Sequence, residues 1–217
     1  MPTARRVAVF DLDDTLVGGD SFGLFTRHLL FRRRWRAVLA LTAAPVLWPM
    51  LFVPGTRRVA VTGLLWLASV GLSEDRFTAL AARFAASHAD RRIVPVLRRL
   101  REHLDAGDRV VVVTACAEPL AGAICAELGL PQVEVIAARL RRGRTAMRPV
   151  LGCRGGEKVD RLRAAGIDLP VDFAYTDSAV DLPLLRVAVH RFLVAPSERD
   201  LTRVRAALPD GVTVLSR

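Results

Sequence analysis

The sequence predicts an α/β fold with a mostly parallel sheet, interrupted by an all-helical insertion between its first two strands. Three observations carry this. Five short runs rich in β-branched and apolar residues read as strands: Val7-Ala8-Val9-Phe10, Arg109 to Thr114, Val133 to Ile136, Phe173 to Asp177 and Phe192 to Ala195. Helical spacings alternate with the last four, the order that builds βαβ units and a parallel sheet. The long interval between the first two runs holds helical patterns only. At 217 residues the chain has room for one full α/β domain and an insertion. Residues 1–18 and 105–217 are assigned to a Rossmann-like, three-layer core, and residues 19–104 to a helical cap.

The first strand suits a central position buried on both faces, and it ends in three carboxylates, Asp11, Asp13 and Asp14. A period of two puts Asp11 and Asp13 on the same side. Ligands of open α/β sheets sit beyond the carboxyl ends of the strands, where these acids would lie. Paired carboxylates repel unless a cation or shared proton relieves them, and Mg²⁺ is the natural oxygen-liganded ion. The alternative is that they only cap the next helix.

That helix is expected from a cap at Asp20 or Ser21 through Phe22, Phe25, Leu29 and Leu30. It runs into Arg32, Arg33, Arg34 and Arg36 around Trp35. Uncharged stretches follow from Ala37 to Pro54 and from Val59 to Leu72, separated by Arg57 and Arg58. If helical they would measure about 27 Å and about 21 Å, the second short for a bilayer core, while Pro45, Pro49 and Pro54 interrupt the first. Two spans would also leave Arg57 and Arg58 outside, against the positive-inside tendency. The pair, residues 37–72, is therefore expected to dip into one leaflet, with Trp35, Trp48 and Trp66, the chain's only tryptophans, at the interface. The competing reading packs the pair as the apolar interior of a soluble cap.

Ser73-Glu74-Asp75 opens a helix facing inward through Phe77, Leu80, Ala81 and Phe84, and Val96, Leu97, Leu100 and Leu104 mark another. A helix is expected from Leu120 to Leu128, a basic hairpin, solvated by default, from Arg139 to Arg148 around Gly143, and a last helix from Leu201 to Leu208. Gly152 to Lys158 leads into a helix, and Asp177 ends the fourth strand with Asp181 just after it.

The 32 Lys and Arg outweigh 22 Asp and Glu, a net charge of +10 that favours anionic partners. The arginines flank uncharged helices and form no continuous polar stripe, so nucleic acid is not expected. Cys116, Cys125 and Cys153, without metal-type spacing, suggest neither a disulfide framework nor zinc, and fit a reducing compartment. The first residues do not resemble a secretory leader. Lys158 is the only lysine, which hints at a site needing a compact ammonium.

The order acid pair, Thr114, Lys158, acid pair resembles the haloacid dehalogenase superfamily over essentially the whole chain. That resemblance implies an Mg²⁺-dependent phosphatase with Asp11 as nucleophile and Asp13 as acid and base. It implies that Thr114, the Ala115 amide and Lys158 hold the phosphate, and that Asp177 binds the metal with Asp181 as a fellow ligand or its partner, alongside Asp11 and the Asp13 carbonyl. Within the phosphoserine-phosphatase-like subgroup, Asp20-Ser21-Phe22-Gly23, Leu64-Leu65-Trp66, Cys153 to Lys158 and Tyr175 to Leu185 resemble the phosphatidylglycerophosphatase C family. This implies a lipid-phosphate substrate at the cytoplasmic face of a bacterial inner membrane, with Arg32, Arg33, Arg34, Arg36, Arg57 and Arg58 meeting its anionic surface. A soluble phosphoserine-type phosphatase and a non-enzymatic membrane adaptor are the alternatives. Two positions depart from the superfamily pattern: Asp14 stands where Gly is frequent, and Ala115-Cys116-Ala117 where small polar residues are.

Overall fold

The computed structural model describes residues 5–53, 55–209 and 211–216; Pro54, one of the three prolines of the first apolar stretch, lies outside them. Its strands are β1 (Val7–Phe10), β2 (Arg109–Ala117), β3 (Glu134–Arg142), β4 (Met147–Leu151), β5 (Val171–Thr176), β6 (Ala188–Val194) and β7 (Thr213–Leu215). They form one sheet in the order β4-β3-β2-β1-β5-β6-β7. Every neighbouring pair is parallel except β3 and β4.

β1 is the central strand, as its uniformly apolar sequence predicts. Val9 pairs with Val111 on one side and with Ala174 on the other. Alternation sends Ala8 and Phe10 into one core with Val110 and Val112, and Val9 into the opposite core with Val111 and Val113. The helices are α1 (Ser21–Phe31), α2 (Arg34–Met50), α3 (Arg57–Ser69), α4 (Glu74–His88), α5 (Val94–Asp105), α6 (Glu118–Glu127), α7 (Gly156–Ala164), α8 (Leu182–Arg186) and α9 (Glu198–Ala207). Leu162 of α7, Leu184 and Leu185 of α8 and Val204 of α9 fill the Val9 face, while α5, α6 and the insertion cover the other. The result is the expected three-layer α/β architecture.

α5 differs from its sequence assignment to the cap. Val96, Leu97 and Leu100 join Ala8, Phe10 and Val110 in one core, so α5 is the crossover helix lying on the sheet. The insertion proper is α1 to α4. Asp20 caps α1 by accepting from Gly23 N, and Ser73 caps α4 by accepting from Arg76 N. The Phe25 and Phe77 rings lock these two helices edge to face, 5.3 Å between centroids.

The basic hairpin is a strut. β3 continues through Arg142 because Leu140, Arg141 and Arg142 pair with Pro149, Arg148 and Met147 of β4. The turn then grips α3: Met147 N donates to Ser69 Oγ at 2.9 Å, Trp66 Nε1 to Thr145 Oγ1 at 3.1 Å, and the Arg142 guanidinium to the Leu72 carbonyl. β7, a three-residue edge strand, is too short to stand out in the sequence.

α2 sorts its side chains the other way from every core element. Its only buried residue is Arg36. Val38, Leu39, Leu41, Val46 and Trp48, with Phe52 and Val53 just beyond, are exposed; Phe52 is 73% accessible. Pro45 and Pro49, expected from the sequence to interrupt the stretch, lie within the helix, each lacking the N–H that would bond one turn back. No described helix is long and apolar enough to cross a membrane.

Candidate active site

The site forms where β1, β2 and β5 end together. Asp11 N donates to the Tyr175 carbonyl at 2.9 Å, carrying strand geometry one residue past β1 and fixing the carboxylate at the sheet edge. The chain then turns sharply. Asp14 has φ +54°, in the left-handed region that favours glycine but that aspartate tolerates, which is the structural content of the departure at this position. Asp14 N donates to the Val17 carbonyl at 2.7 Å, closing the turn.

Lys158 arrives from the opposite side of the sheet's edge at the first turn of α7. Gly155 precedes it with φ +55°, and a Cβ there would sit 3.1 Å from the Val180 carbonyl, so the loop before α7 is pressed against the loop after β5. Lys158 Nζ lies 2.8 Å from Asp11 Oδ1 and 2.5 Å from Asp181 Oδ2, with the side chain 2% accessible. Thr176 Oγ1 donates to the same Asp181 oxygen at 3.0 Å. Burial alone would strip the Lys158 proton, but the flanking Asp11 and Asp181 carboxylates outweigh it and hold the ammonium above lysine's ordinary pKa. Burial pushes the Asp11 carboxyl up against the pull of Lys158, and Asp181 and Asp177 push in the same direction.

Asp13 takes a different environment. Its Oδ1 accepts from both Ser21 N, at 3.1 Å, and the Ser21 hydroxyl. Burial raises its pKa to about 7 despite these donors, the range suited to a group that gives and takes protons near neutrality. Thr114 ends the apolar part of β2, buried, with Oγ1 accepting from Cys116 N at 3.0 Å, and Ala115 lies half-buried between them. Asp177 follows β5 half-buried, pushed up to about 6 by burial and by Asp14 and Asp181.

These residues fit a hard cation. Asp11 and Asp177 offer carboxylate oxygens, both raised first by burial and then by neighbouring carboxylates, and Asp181 is committed to Lys158 and Thr176. Among the described residues no three His, Cys, Asp or Glu side chains converge to hold a metal alone. Mg²⁺ needs none, since it binds through one or two carboxylates and keeps several waters. The three cysteines are free and buried.

The six arginines expected at an anionic surface divide. Arg32, Arg33 and Arg34 are exposed in a row at the start of α2. Arg36 is turned inward, because its guanidinium donates to the Ala68 carbonyl at 2.9 Å and to the Val70 carbonyl at 2.5 Å, and so fastens α2 to α3. Arg58 donates to Glu157 Oε1 at 2.9 Å, beside Lys158. Arg57 is half-buried and its pKa is lowered by burial and then by Arg154, against Asp20. Sequence reasoning missed Arg154, His88 and the Ser21 hydroxyl's contact with Asp13; only the short spacing from Asp13 to Ser21 could have signalled the last.

A family model for haloacid dehalogenase-like hydrolases matches residues 8–186, from β1 through α8. The chain belongs to that family. It is an enzyme, a hydrolase of the family's phosphatase type. Protein CicA of Caulobacter vibrioides is 32% identical over 190 residues, covering 84% of this chain and 82% of that protein. Phosphoserine phosphatase SerB1 of Mycobacterium tuberculosis is 30% identical over 201 residues, 88% of this chain and 65% of that protein. A crystal structure of a Bordetella pertussis protein of unknown function superposes with a TM-score of 0.74 at 26% identity, covering 98% of this chain and 99% of that one.

Proposed function

We propose that this phosphatase removes the phosphate of a lipid phosphomonoester such as phosphatidylglycerophosphate at a membrane surface, the cytoplasmic face of a bacterial inner membrane. The observation that carries the substrate class is α2, whose apolar side chains face outward beside Arg32, Arg33 and Arg34. Exposed apolar patches of this kind mark partner or membrane surfaces, and aromatic residues flanked by cations suit an acidic headgroup layer.

Asp11 is the nucleophile. Its carboxylate oxygen attacks phosphorus as the bond to the leaving alcohol breaks, giving an aspartyl phosphate, and Asp13 protonates the departing oxygen. In the second step Asp13 takes a proton from water as that water attacks phosphorus, releasing phosphate and restoring the Asp11 carboxylate. Lys158, within 2.8 Å of Asp11, offsets the charge that builds on the phosphoryl oxygens, and Thr114 with the Ala115 amide would orient them. Mg²⁺, which phosphatases of this family generally use, would be held by Asp11, Asp177 and the Asp13 carbonyl, and would supply positive charge to the phosphoryl oxygens.

The second reading, a soluble phosphoserine-type phosphatase, is favoured by the SerB1 similarity. Purified protein assayed with Mg²⁺ on phosphatidylglycerophosphate in mixed micelles and on phosphoserine separates the two. Turnover of the lipid well above phosphoserine is expected; good phosphoserine turnover with an inert lipid would sink the lipid reading. Asp11→Asn is expected to lose at least a thousandfold in kcat on either substrate. Intact function of that variant in cells would instead support a non-enzymatic adaptor.

A further inference from the structure

We infer that His88 is a positioning residue which, through the Ser21 hydroxyl, aims the acid-base carboxylate of Asp13. The inference rests on the phosphatase mechanism above and adds a residue from the insertion to it.

His88 closes α4 and Ser21 opens α1, and both are buried, at 3% and 0% accessible. His88 Nε2 lies 2.9 Å from Ser21 Oγ, and Ser21 Oγ in turn contacts Asp13 Oδ1. The imidazole is held in place by stacking on Phe84, 5.2 Å between centroids and 22° between planes. Burial, then Arg91, lowers its pKa, so the ring is neutral and carries one N–H. Placed on Nε2, that hydrogen gives a continuous donor chain: His88 Nε2–H to Ser21 Oγ, and Ser21 O–H to Asp13 Oδ1.

The chain has a chemical consequence. Asp13 Oδ1 accepts from both Ser21 N and Ser21 Oγ. An oxygen with two donors aimed at it is a poor seat for a proton, so the transferable proton of the acid form sits on Oδ2. Without His88 the Ser21 hydroxyl loses the donor that sets its direction, and it can turn away from Asp13. The acid then loses its aim while Asp11, Lys158 and the phosphate contacts are untouched.

General-acid help matters most when the leaving group is a poor one. The test compares kcat/KM for glycerol phosphate, an alkyl ester that needs its leaving oxygen protonated, with that for dinitrophenyl phosphate, which does not. In His88→Phe, which keeps the ring stacked on Phe84, the loss on glycerol phosphate is expected to exceed that on dinitrophenyl phosphate by on the order of tenfold or more. His88→Gln, whose amide can donate from the Nε2 position, is expected to recover most of the difference. Ser21→Ala removes one oxygen and should show the same split even if His88→Phe folds poorly. Equal losses on both esters, or no rescue by Gln, would reduce His88 to a cap fastener and overturn the inference. Wild-type protein inert towards both esters would overturn the mechanism it rests on, a separate and recognisable failure.

Discussion

The catalytic centre and α2 both invert the ordinary sorting of side chains, in opposite directions. At the centre, charges are inside: Lys158 is 2% accessible between Asp11 and Asp181. On α2, Arg36 is inside and the apolar side chains of Val46 and Trp48, with Phe52 just beyond the helix, are outside. The difference lies in what compensates the inversion. At the centre the buried Lys158 lies between two counter-charges of the chain itself, Asp11 and Asp181, whereas nothing among the described residues covers the outer face of α2. A compensated inversion is a site that the protein has built for itself; the uncompensated one is the face that the proposed membrane surface would cover.

The largest effect should come from breaking the compensation at the centre. Lys158→Met leaves Asp181 and Asp11 facing each other without a cation, and removal of one partner from a buried ion pair typically costs about 3–5 kcal/mol. Urea denaturation of the Mg²⁺-free protein should show a loss of that order together with loss of turnover. Adding Asp181→Asn should recover part of the stability and none of the activity. If Lys158→Met unfolds at the wild-type urea concentration, the buried charges are not held by each other, and the comparison fails at its first half.

The second half is tested on α2. Trp48→Glu with Phe52→Glu removes two outward rings that touch each other, 6.0 Å between centroids, at exposed positions. Stability should change by no more than about 0.5 kcal/mol per substitution, the usual range for surface changes. Binding to anionic phosphatidylglycerol vesicles should fall by at least about a hundredfold, since each buried aromatic is worth roughly 1.5–3 kcal/mol of transfer free energy and two are lost. Hydrolysis of a soluble ester should be unaffected. Several kcal/mol of lost stability, or unchanged vesicle binding, would mean that the rings serve the fold.

The same contrast explains what was legible in the sequence. Val7–Phe10 and Val110–Val113 announce buried strands because every residue is apolar and helices cover both faces of the sheet, so composition and environment coincide. The acids at their ends follow, since the carboxyl edge is where such a sheet meets solvent. Uncharged residues in α2 do not reveal whether protein or lipid faces them, because both are apolar, and Arg36 looks like its neighbours Arg33 and Arg34 until the Ala68 and Val70 carbonyls are in place. The basic hairpin expected from Arg139 to Arg148 around Gly143 forms as β3 and β4; what the sequence does not show is that its first arm continues the third strand without a break, because backbone pairing to β4 holds it and needs no apolar side chains. The link from Ser21 to His88 joins residues 67 apart. No local period encodes such a contact.

The smallest effect concerns His88, which stands where the cap meets the centre and so shows whether the cap compensates its own buried groups. Burial, then Arg91 on the turn after α4, lowers the imidazole pKa; Asp20 ahead of α1 opposes them, and Ser21 and Phe84 are its other close neighbours. A histidine lowered in the folded state binds fewer protons there than in the unfolded chain. Its contribution is therefore fully present above the ordinary value of about 6.5 and is lost as the pH falls through that value. Asp13 and Asp177, raised to about 7 and about 6, act in the opposite sense, because the folded protein takes up their protons first as the pH falls. The wild-type stability curve mixes the two, so the informative quantity is the stability difference between wild type and His88→Gln. That difference should be largest in favour of wild type near pH 8 and narrow below about 6.5. A difference that stays flat down to about pH 5 would mean that His88 keeps an ordinary pKa in the folded cap. The imidazole would then be solvated, and the buried donor chain to Asp13 would have no fixed end.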